Sequence, residues 1–164
     1  MNYIFFDVDG VLNGTDKNGK WIDNEIHISK VSRLLQLAKD TNAKLIMSST
    51  WRTSWNNKGE LIENHKYCIA LNELLQGQLY SVTPVIDYDR NLEIKTWLQE
   101  NTNPEDNFVC FDDEYSYYQN DDFYNNKFIH TAPSHCNGVY GNNDIVGLFD
   151  IHIEKAKQIL LNKE

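Results

Sequence analysis

The sequence predicts an α/β fold in which helices cover both faces of a central parallel sheet. Short apolar runs typical of strands alternate with segments whose apolar residues recur at helical spacing. The runs are apolar throughout, which is typical of strands buried on both faces. A length of 164 residues suits one compact domain, so we expect a single domain over residues 1–164.

The first half of the chain contains two strands and two helices by this pattern. Residues 3–6 form an apolar, aromatic-rich run, and residues 43–47 form another that a Ser-Ser-Thr sequence stops. Between them, apolar positions from 28 to 38 follow helical spacing and predict an amphipathic helix. A second helix is expected within residues 61–75, because its apolar pattern is ended by Gly77.

The second half of the chain alternates in the same way. Residues 79–85 are a weaker strand candidate because Pro84 interrupts them. The elements predicted after them are a helix at 92–100, strands at 108–111 and 128–131, and an amphipathic helix from residue 144 onward. The polar, tyrosine-rich stretch 114–126 is interpreted as a loop or a short helix.

Composition narrows the classes of function. A hydrophobic content of 41% supports a folded core, and the net charge of −9 disfavours a broad, sequence-independent contact with nucleic acid. The same acidic balance suits a site that collects a divalent cation. No apolar run approaches membrane-spanning length, so we expect a cytoplasmic protein with no membrane partner.

The cysteines and histidines give no sign of a metal or disulfide framework. Cys68, Cys110 and Cys136 are far apart and form no CxxC pair, which favours a reducing compartment and inert core thiols. The five histidines show no metal-ligand spacing and are interpreted as ordinary surface or core residues.

Polar pairs directly follow three of the predicted strands. The pairs are Asp7 with Asp9, Ser48 with Ser49, and Asp112 with Asp113. Because the carboxyl ends of parallel strands lie along one edge of the sheet, we expect the pairs to meet there, where ligands bind in such folds. This convergence is the main functional signal in the sequence.

The first pair suggests phosphoryl chemistry. Asp7 and Asp9 stand two residues apart at a strand end, and Gly10 permits a tight turn after them. One carboxylate can attack phosphorus to form an acyl-phosphate while the other protonates the departing oxygen. The Ser48 hydroxyl could hold a phosphoryl oxygen, or alternatively cap a helix.

Two segments resemble the haloacid-dehalogenase-like (HAD) hydrolases. Residues 6–12, FDVDGVL, resemble the first HAD motif. Residues 45–52, LIMSSTWR, are similar to a block in small HAD domains, some of them associated with RNA-repair proteins. The resemblance implies a Rossmann-like three-layer α/β/α sandwich and a Mg²⁺-dependent phosphatase with Asp7 as covalent nucleophile and Asp9 as general acid and base.

The resemblance also implies the remaining site residues. Mg²⁺ is expected to bind Asp7, the backbone carbonyl of Asp9, and the acidic pair after the strand at 108–111. In that pair Asp112 is preferred as the direct ligand, and Asp113 is a ligand or its neighbour. Ser48 and, secondarily, Ser49 are expected to contact phosphate.

The cation that pairs with nucleophile and phosphate has two candidates. Arg90 stands 22 residues before Asp112, and Lys95 stands 17 before it. Both spacings occur among HAD proteins, so Lys95 remains open although Arg90 is preferred.

The spacing of the motifs leaves no room for a large cap domain, and residues 13–24 are expected to form only a small flap. An uncovered site can take a phosphorylated metabolite or an exposed phosphate on a macromolecule. A polynucleotide-end phosphatase of nucleic-acid repair is one alternative, although the charge does not indicate nucleic acid. A catalytically weak HAD-fold binding or regulatory module is the other.

Overall fold

Five parallel strands form the central sheet of the computed structural model, which describes residues 1–22 and 25–162. The strands in chain order are β1 (Asn2–Phe6), β2 (Gly14–Thr15), β3 (Trp21–Ile22), β4 (Ala43–Met47), β5 (Leu79–Val82), β6 (Asn107–Asp112) and β7 (Phe128–His130). The sheet order is β5-β4-β1-β6-β7, so the first strand is central, and every pair in this sheet is parallel.

Helices cover both faces of the sheet. They are α1 (Ile28–Thr41), α2 (Lys66–Leu75), α3 (Arg90–Asn101) and α4 (Asp150–Leu160). Short 3₁₀ helices lie at Thr50–Ser54, Tyr115–Tyr117 and Asp122–Tyr124. Residues of α1, α2 and α4 share one buried cluster with Ile4 and Phe6, while α3 packs on the other face with Tyr3 and Phe5. The predicted α/β class and three-layer arrangement are confirmed.

Two predicted helices begin later than expected. The last helix starts at Asp150 rather than at residue 144, because Gly147 has a φ of +113° and its N–H bonds to Thr131. The preceding apolar residues Val146 and Leu148 are buried in a loop that bonds to the chain after β1. Helix α2 starts at Lys66 rather than near residue 61, where an isolated bridge joins Trp55 to Leu61 instead.

The flap is an antiparallel hairpin. Strands β2 and β3 pair Gly14 with Ile22 and Thr15 with Trp21. The last two residues expected in the flap, 23 and 24, lie outside the described residues. No large cap interrupts the parallel sheet in the part of the chain that the structure describes. Within the same residues, none of the helices is both long and apolar enough to cross a membrane.

Candidate active site

The sheet brings Asp7, Ser48 and Asp112 side by side at the carboxyl ends of neighbouring strands. Beyond the ends of the strands, Asp7 N–H donates to the carbonyl of Phe111 at 3.0 Å, and Ser48 N–H donates to the carbonyl of Phe6 at 2.9 Å. These bonds continue the ladders from β1 to β6 and from β4 to β1. Asp7 therefore lies between Ser48 and Asp112 at the carboxyl edge of the sheet.

Three carboxylates meet at this edge. Asp7, Asp112 and Asp113 each offer an oxygen, and these oxygens lie within 4.8 Å of one another. All three residues are buried, and Asp112 is 0% exposed. Such a concentration of buried negative charge requires cations or protons to compensate it.

Arg90 supplies the nearby positive charge. Its Nη1 lies 2.7 Å from Asp112 Oδ2 and 3.3 Å from Asp7 Oδ2. Burial alone would lower the pKa of Arg90, but the carboxylates of Asp7 and Asp112 outweigh it and raise that pKa. The guanidinium is therefore held charged against the carboxylate at the end of β1.

The two carboxylates at the end of β6, Asp112 and Asp113, have different partners. Asp112 accepts three hydrogen bonds, from Arg90, from the Tyr118 hydroxyl at 2.9 Å and from Glu114 N–H at 3.0 Å. Asp113 accepts one from the Tyr140 hydroxyl. Burial, together with the charge of Asp7, raises the pKa of both carboxyl groups. They therefore take up protons at higher pH than usual unless a metal ion stabilises the charged form.

Gly10 makes the close approach of Asp113 possible. Its φ is +72°, and a Cβ at this position would lie 2.4 Å from Asp113 Cγ. Its carbonyl also accepts a hydrogen bond from the Thr131 hydroxyl at 2.7 Å. A side chain at this position would displace the Asp113 carboxylate.

Asp9 lies outside the carboxylate cluster and is exposed. Both of its oxygens are tethered, one by the Asn13 amide at 2.8 Å and the other by the Trp51 indole N–H at 2.9 Å. The Asn13 amide oxygen also accepts Gly10 N–H at 2.7 Å. The turn after β1 thus holds the second carboxylate at the solvent-facing mouth of the site.

The two serines after β4 have different roles in the structure. Ser48 lies beside Asp7 at the sheet edge. Ser49 is the N-cap of the Thr50–Ser54 helix, and its hydroxyl accepts Trp51 N–H at 3.3 Å. The capping alternative considered for Ser48 thus applies to its neighbour.

The structure separates the two candidate cations. Arg90 is the first residue of α3, after an N-cap by Asp89 and two left-handed residues, Asp87 and Tyr88. Lys95, one turn further along the helix, forms an ion pair with Asp121 instead of with the cluster. Only Arg90 of the two lies among the carboxylates.

Arg52, in the turn after β4, forms a buried ion pair. Its side chain is 2% exposed and pairs at 2.6 Å with Glu93, which is 1% exposed. A second guanidinium nitrogen donates to the carbonyl of Ser49 at 2.7 Å. This pair joins the turn after β4 to α3, and so fixes Ser48 relative to Arg90.

Sequence reasoning missed the tyrosines that contact the acidic pair. Tyr118 and Tyr140 come from loops before and after β7, and their hydroxyls reach Asp112 and Asp113. Tyr140 also stacks on Trp21 of the hairpin, with ring centroids 5.6 Å apart. The richness of tyrosine in the acidic loop was the one available signal for Tyr118.

The donor set fits a hard divalent cation. Three carboxylates lie together, one guanidinium contacts two of them, and oxygen ligands are what Mg²⁺ prefers. Asp7, Asp112 and Asp113 are the residues that could hold the ion.

Comparison with protein families identifies a related domain. A family model described as the HAD domain in Swiss Army Knife RNA repair proteins matches residues 3–136. No curated protein and no solved structure matches the chain. The matched residues include the strands and loops that carry every residue of the carboxylate cluster.

Proposed function

Because the chain belongs to the family of HAD domains in Swiss Army Knife RNA repair proteins, we propose that it is a Mg²⁺-dependent phosphatase, a phosphoric monoester hydrolase. The observation that carries the proposal is the Asp7 carboxylate, held at a strand end between Arg90 and the acidic pair. A nucleophile in that position meets both a cation for phosphate and ligands for a metal.

The first half of the reaction forms an aspartyl-phosphate. A carboxylate oxygen of Asp7 attacks the phosphorus atom, and the bond from phosphorus to the leaving oxygen breaks as that oxygen takes a proton from Asp9. Arg90 and the Ser48 hydroxyl stabilise the charge on the transferring group. Asp9 suits the proton transfer because it is tethered at the mouth of the site, where the leaving group departs.

The second half returns the enzyme to its starting state. Asp9 takes a proton from a water molecule, which attacks the phosphorus atom and breaks the bond to Asp7, releasing inorganic phosphate. Bound Mg²⁺ would supply charge neutralisation between the anionic nucleophile and the anionic substrate. No proton acceptor other than Asp9 is required.

The hydrogen bonds favour Asp113 as the direct metal ligand alongside Asp7, which changes the preference drawn from the sequence. Asp112 already accepts three hydrogen bonds, one of them from Arg90, whereas Asp113 accepts one from Tyr140. We therefore assign Asp112 to holding Arg90 in place. The expected Asp9 contribution remains its backbone carbonyl.

A phosphate at a polynucleotide end is the substrate class that the family description favours. The hairpin at 14–22 leaves the site without a large cap, so a terminal phosphate on a macromolecule has access. The net charge of −9 disfavours contact along the length of such a chain, so recognition would rest on its end. A phosphorylated metabolite is the competing class, which a substrate panel separates.

The test is Mg²⁺-dependent phosphate release from an aryl phosphate, followed by 3′- and 5′-phosphorylated oligonucleotides, nucleotides and sugar phosphates. We expect Asp7→Asn to abolish release and Arg90→Lys to lower kcat at least about 100-fold, as loss of a transition-state contact does. Lys95→Gln is the matched control, with near-parental activity. Absence of release from every substrate would favour the non-catalytic module, and full activity of Asp7→Asn would reject the nucleophile.

A further inference from the structure

A second cluster of metal-ligating side chains lies in the loop that follows β7. His135, Cys136 and Asp144 each offer one ligand atom, and the three atoms lie within 4.8 Å of one another. None of these residues belongs to the carboxylate cluster at the sheet edge. The imidazole and the thiol belong to adjacent residues, and the carboxylate comes from a later position in the same loop.

Two contacts within the cluster are close to the spacing of ligand atoms in a tetrahedral metal site. His135 Nε2 lies 3.0 Å from Asp144 Oδ1, and Cys136 Sγ lies 3.2 Å from Asp144 Oδ2. Around tetrahedral Zn²⁺, the usual bond lengths place nitrogen and oxygen ligands about 3.3 Å apart, and sulfur and oxygen ligands about 3.6 Å apart. Each of these two contacts, which run to different oxygens of Asp144, is shorter than the ligand spacing by a few tenths of an ångström, and all three ligand atoms lie within 4.8 Å of one another.

Backbone contacts hold the ligands in this arrangement. Gly141 N–H donates to Asp144 Oδ2 at 2.6 Å, which fixes the carboxylate. Cys136 N–H donates to the carbonyl of Pro133 at 2.8 Å in a tight turn. Cys136 is 1% exposed while the His135 side chain is 69% exposed, so the cluster has a buried sulfur and an open side. An ion can enter from the imidazole side.

We propose that His135, Cys136 and Asp144 form a site for a borderline divalent transition metal such as Zn²⁺. Thiolate and imidazole ligands select such metals over Mg²⁺, which the all-oxygen cluster suits better. Three protein ligands leave a fourth position for water or an external ligand. The thiol proton that now points to Asp144 leaves when the ion binds.

A metal ion at this site would link the two ends of the loop that contains Tyr140. The ligands lie on both sides of Tyr140 in the sequence, and the Tyr140 hydroxyl donates to Asp113. A bound ion therefore fixes the loop against the acidic pair. The proposal depends on the loop geometry alone and stands apart from the phosphatase proposal.

Co²⁺ is the probe, because a thiolate ligand gives it a near-ultraviolet charge-transfer band that the carboxylate cluster cannot produce. The purified protein is titrated with Co²⁺ in excess Mg²⁺, and Zn²⁺ is then added as competitor. We expect one equivalent of thiolate-ligated Co²⁺ that Zn²⁺ displaces. Absence of the band in the parent protein overturns the proposal.

Substitutions locate the band. Cys136→Ser should remove it, whereas Cys68→Ser, which changes another buried thiol, and Asp7→Asn, which alters the acidic cluster, should keep it. His135→Ala alters an exposed side chain, so the protein should fold, and Co²⁺ affinity should fall more than the 10–100-fold typical of losing an outer partner of a ligand. A band that persists in Cys136→Ser, or unchanged affinity in His135→Ala, rejects the site.

Discussion

Gly10 and Gly77 have nearly equal φ angles, +72° and +71°, but different surroundings. A Cβ at Gly10 would lie 2.4 Å from Asp113 Cγ, whereas a Cβ at Gly77 would have nothing within 4 Å. The left-handed backbone penalty is therefore common to both positions. The steric conflict with a site residue exists at only one of them.

Gly77→Ala should lower the free energy of unfolding by about 1–2 kcal/mol, the cost of a left-handed alanine. Gly10→Ala should cost more and should also weaken Mg²⁺ binding, because Asp113 has to move. Urea denaturation and Mg²⁺ titration of both variants measure the two effects. Equal losses in the two proteins would show that contact with Asp113 has no energetic weight.

Among the residues of the site, those at the ends of strands could be predicted from the sequence. Asp7, Ser48 and Asp112 follow apolar runs directly, so the sheet alone brings them together. The choice between Arg90 and Lys95 depends on where α3 begins. Spacing along the chain does not tell which way each side chain points. Tyr140 could not be found from sequence, because its contact depends on the path of a long loop.

A buried ion pair between Arg52 and Glu93 links two elements near the site. It joins the Thr50–Ser54 helix to α3, and Glu93 also accepts Ile86 N–H at 3.0 Å before that helix. Both side chains are almost fully buried. Removal of one partner therefore leaves an unpaired charge in the interior.

Arg52→Met should lower the free energy of unfolding by about 3–5 kcal/mol, as for other broken buried pairs. Arg52→Met combined with Glu93→Leu should recover a large part of the loss, because no charge remains buried. Denaturation of the parent, both single variants and the double variant gives the coupling energy. A double variant as unstable as the sum of the singles would contradict a coupled pair.

His152 makes the stability of α4 dependent on pH. Its Nδ1 accepts Phe149 N–H at 3.0 Å, so this nitrogen must be unprotonated. Burial, and then the positive charge of Lys30, lower the pKa of His152 to about 4. Below its ordinary value of 6.5 the unfolded chain binds a proton that the folded chain does not, so stability falls as the pH decreases from 6.5 towards 4.

Between pH 7 and pH 5, His152→Gln should lose less stability than the parent, by up to about 2 kcal/mol. Glutamine keeps an acceptor at this position without titrating. The difference between the two proteins is the quantity to compare, since the carboxyl groups of the active site titrate in both. Parallel curves over this range would show that His152 titrates normally.

Strands and helices could be predicted from the sequence where a single local pattern, such as an apolar run, determines them. The apolar runs gave β1, β4, β6 and β7 to within one or two residues. The start of α4 was predicted too early because Ile145 and Leu148 stand at helical spacing although they lie in a loop, in which Gly147 has a positive φ. The β2–β3 hairpin was foreseen only as a flap, since two-residue strands have no pattern to detect.

In the molecule as a whole, buried negative charge is concentrated at the carboxyl edge of the central strands. The central position of β1 brings residues about a hundred positions apart to one edge, and three of them are buried carboxylates. The chain as a whole carries a net charge of −9. Without a metal ion, folding must therefore overcome both general repulsion and the cost of burying these groups.

Mg²⁺ should stabilise the folded chain by binding this cluster. At 100 times its dissociation constant the ion contributes about 2.7 kcal/mol, which for a domain of this size raises Tm by about 5–10 °C. Asp113→Asn should be more stable than the parent without Mg²⁺, because one buried charge is gone, and should gain little when Mg²⁺ is added. Calorimetry of both proteins, with NaCl at matched ionic strength to account for screening, measures these shifts. If Asp113→Asn kept the full Mg²⁺-dependent rise, the ion would be stabilising the molecule elsewhere than at its carboxylate cluster.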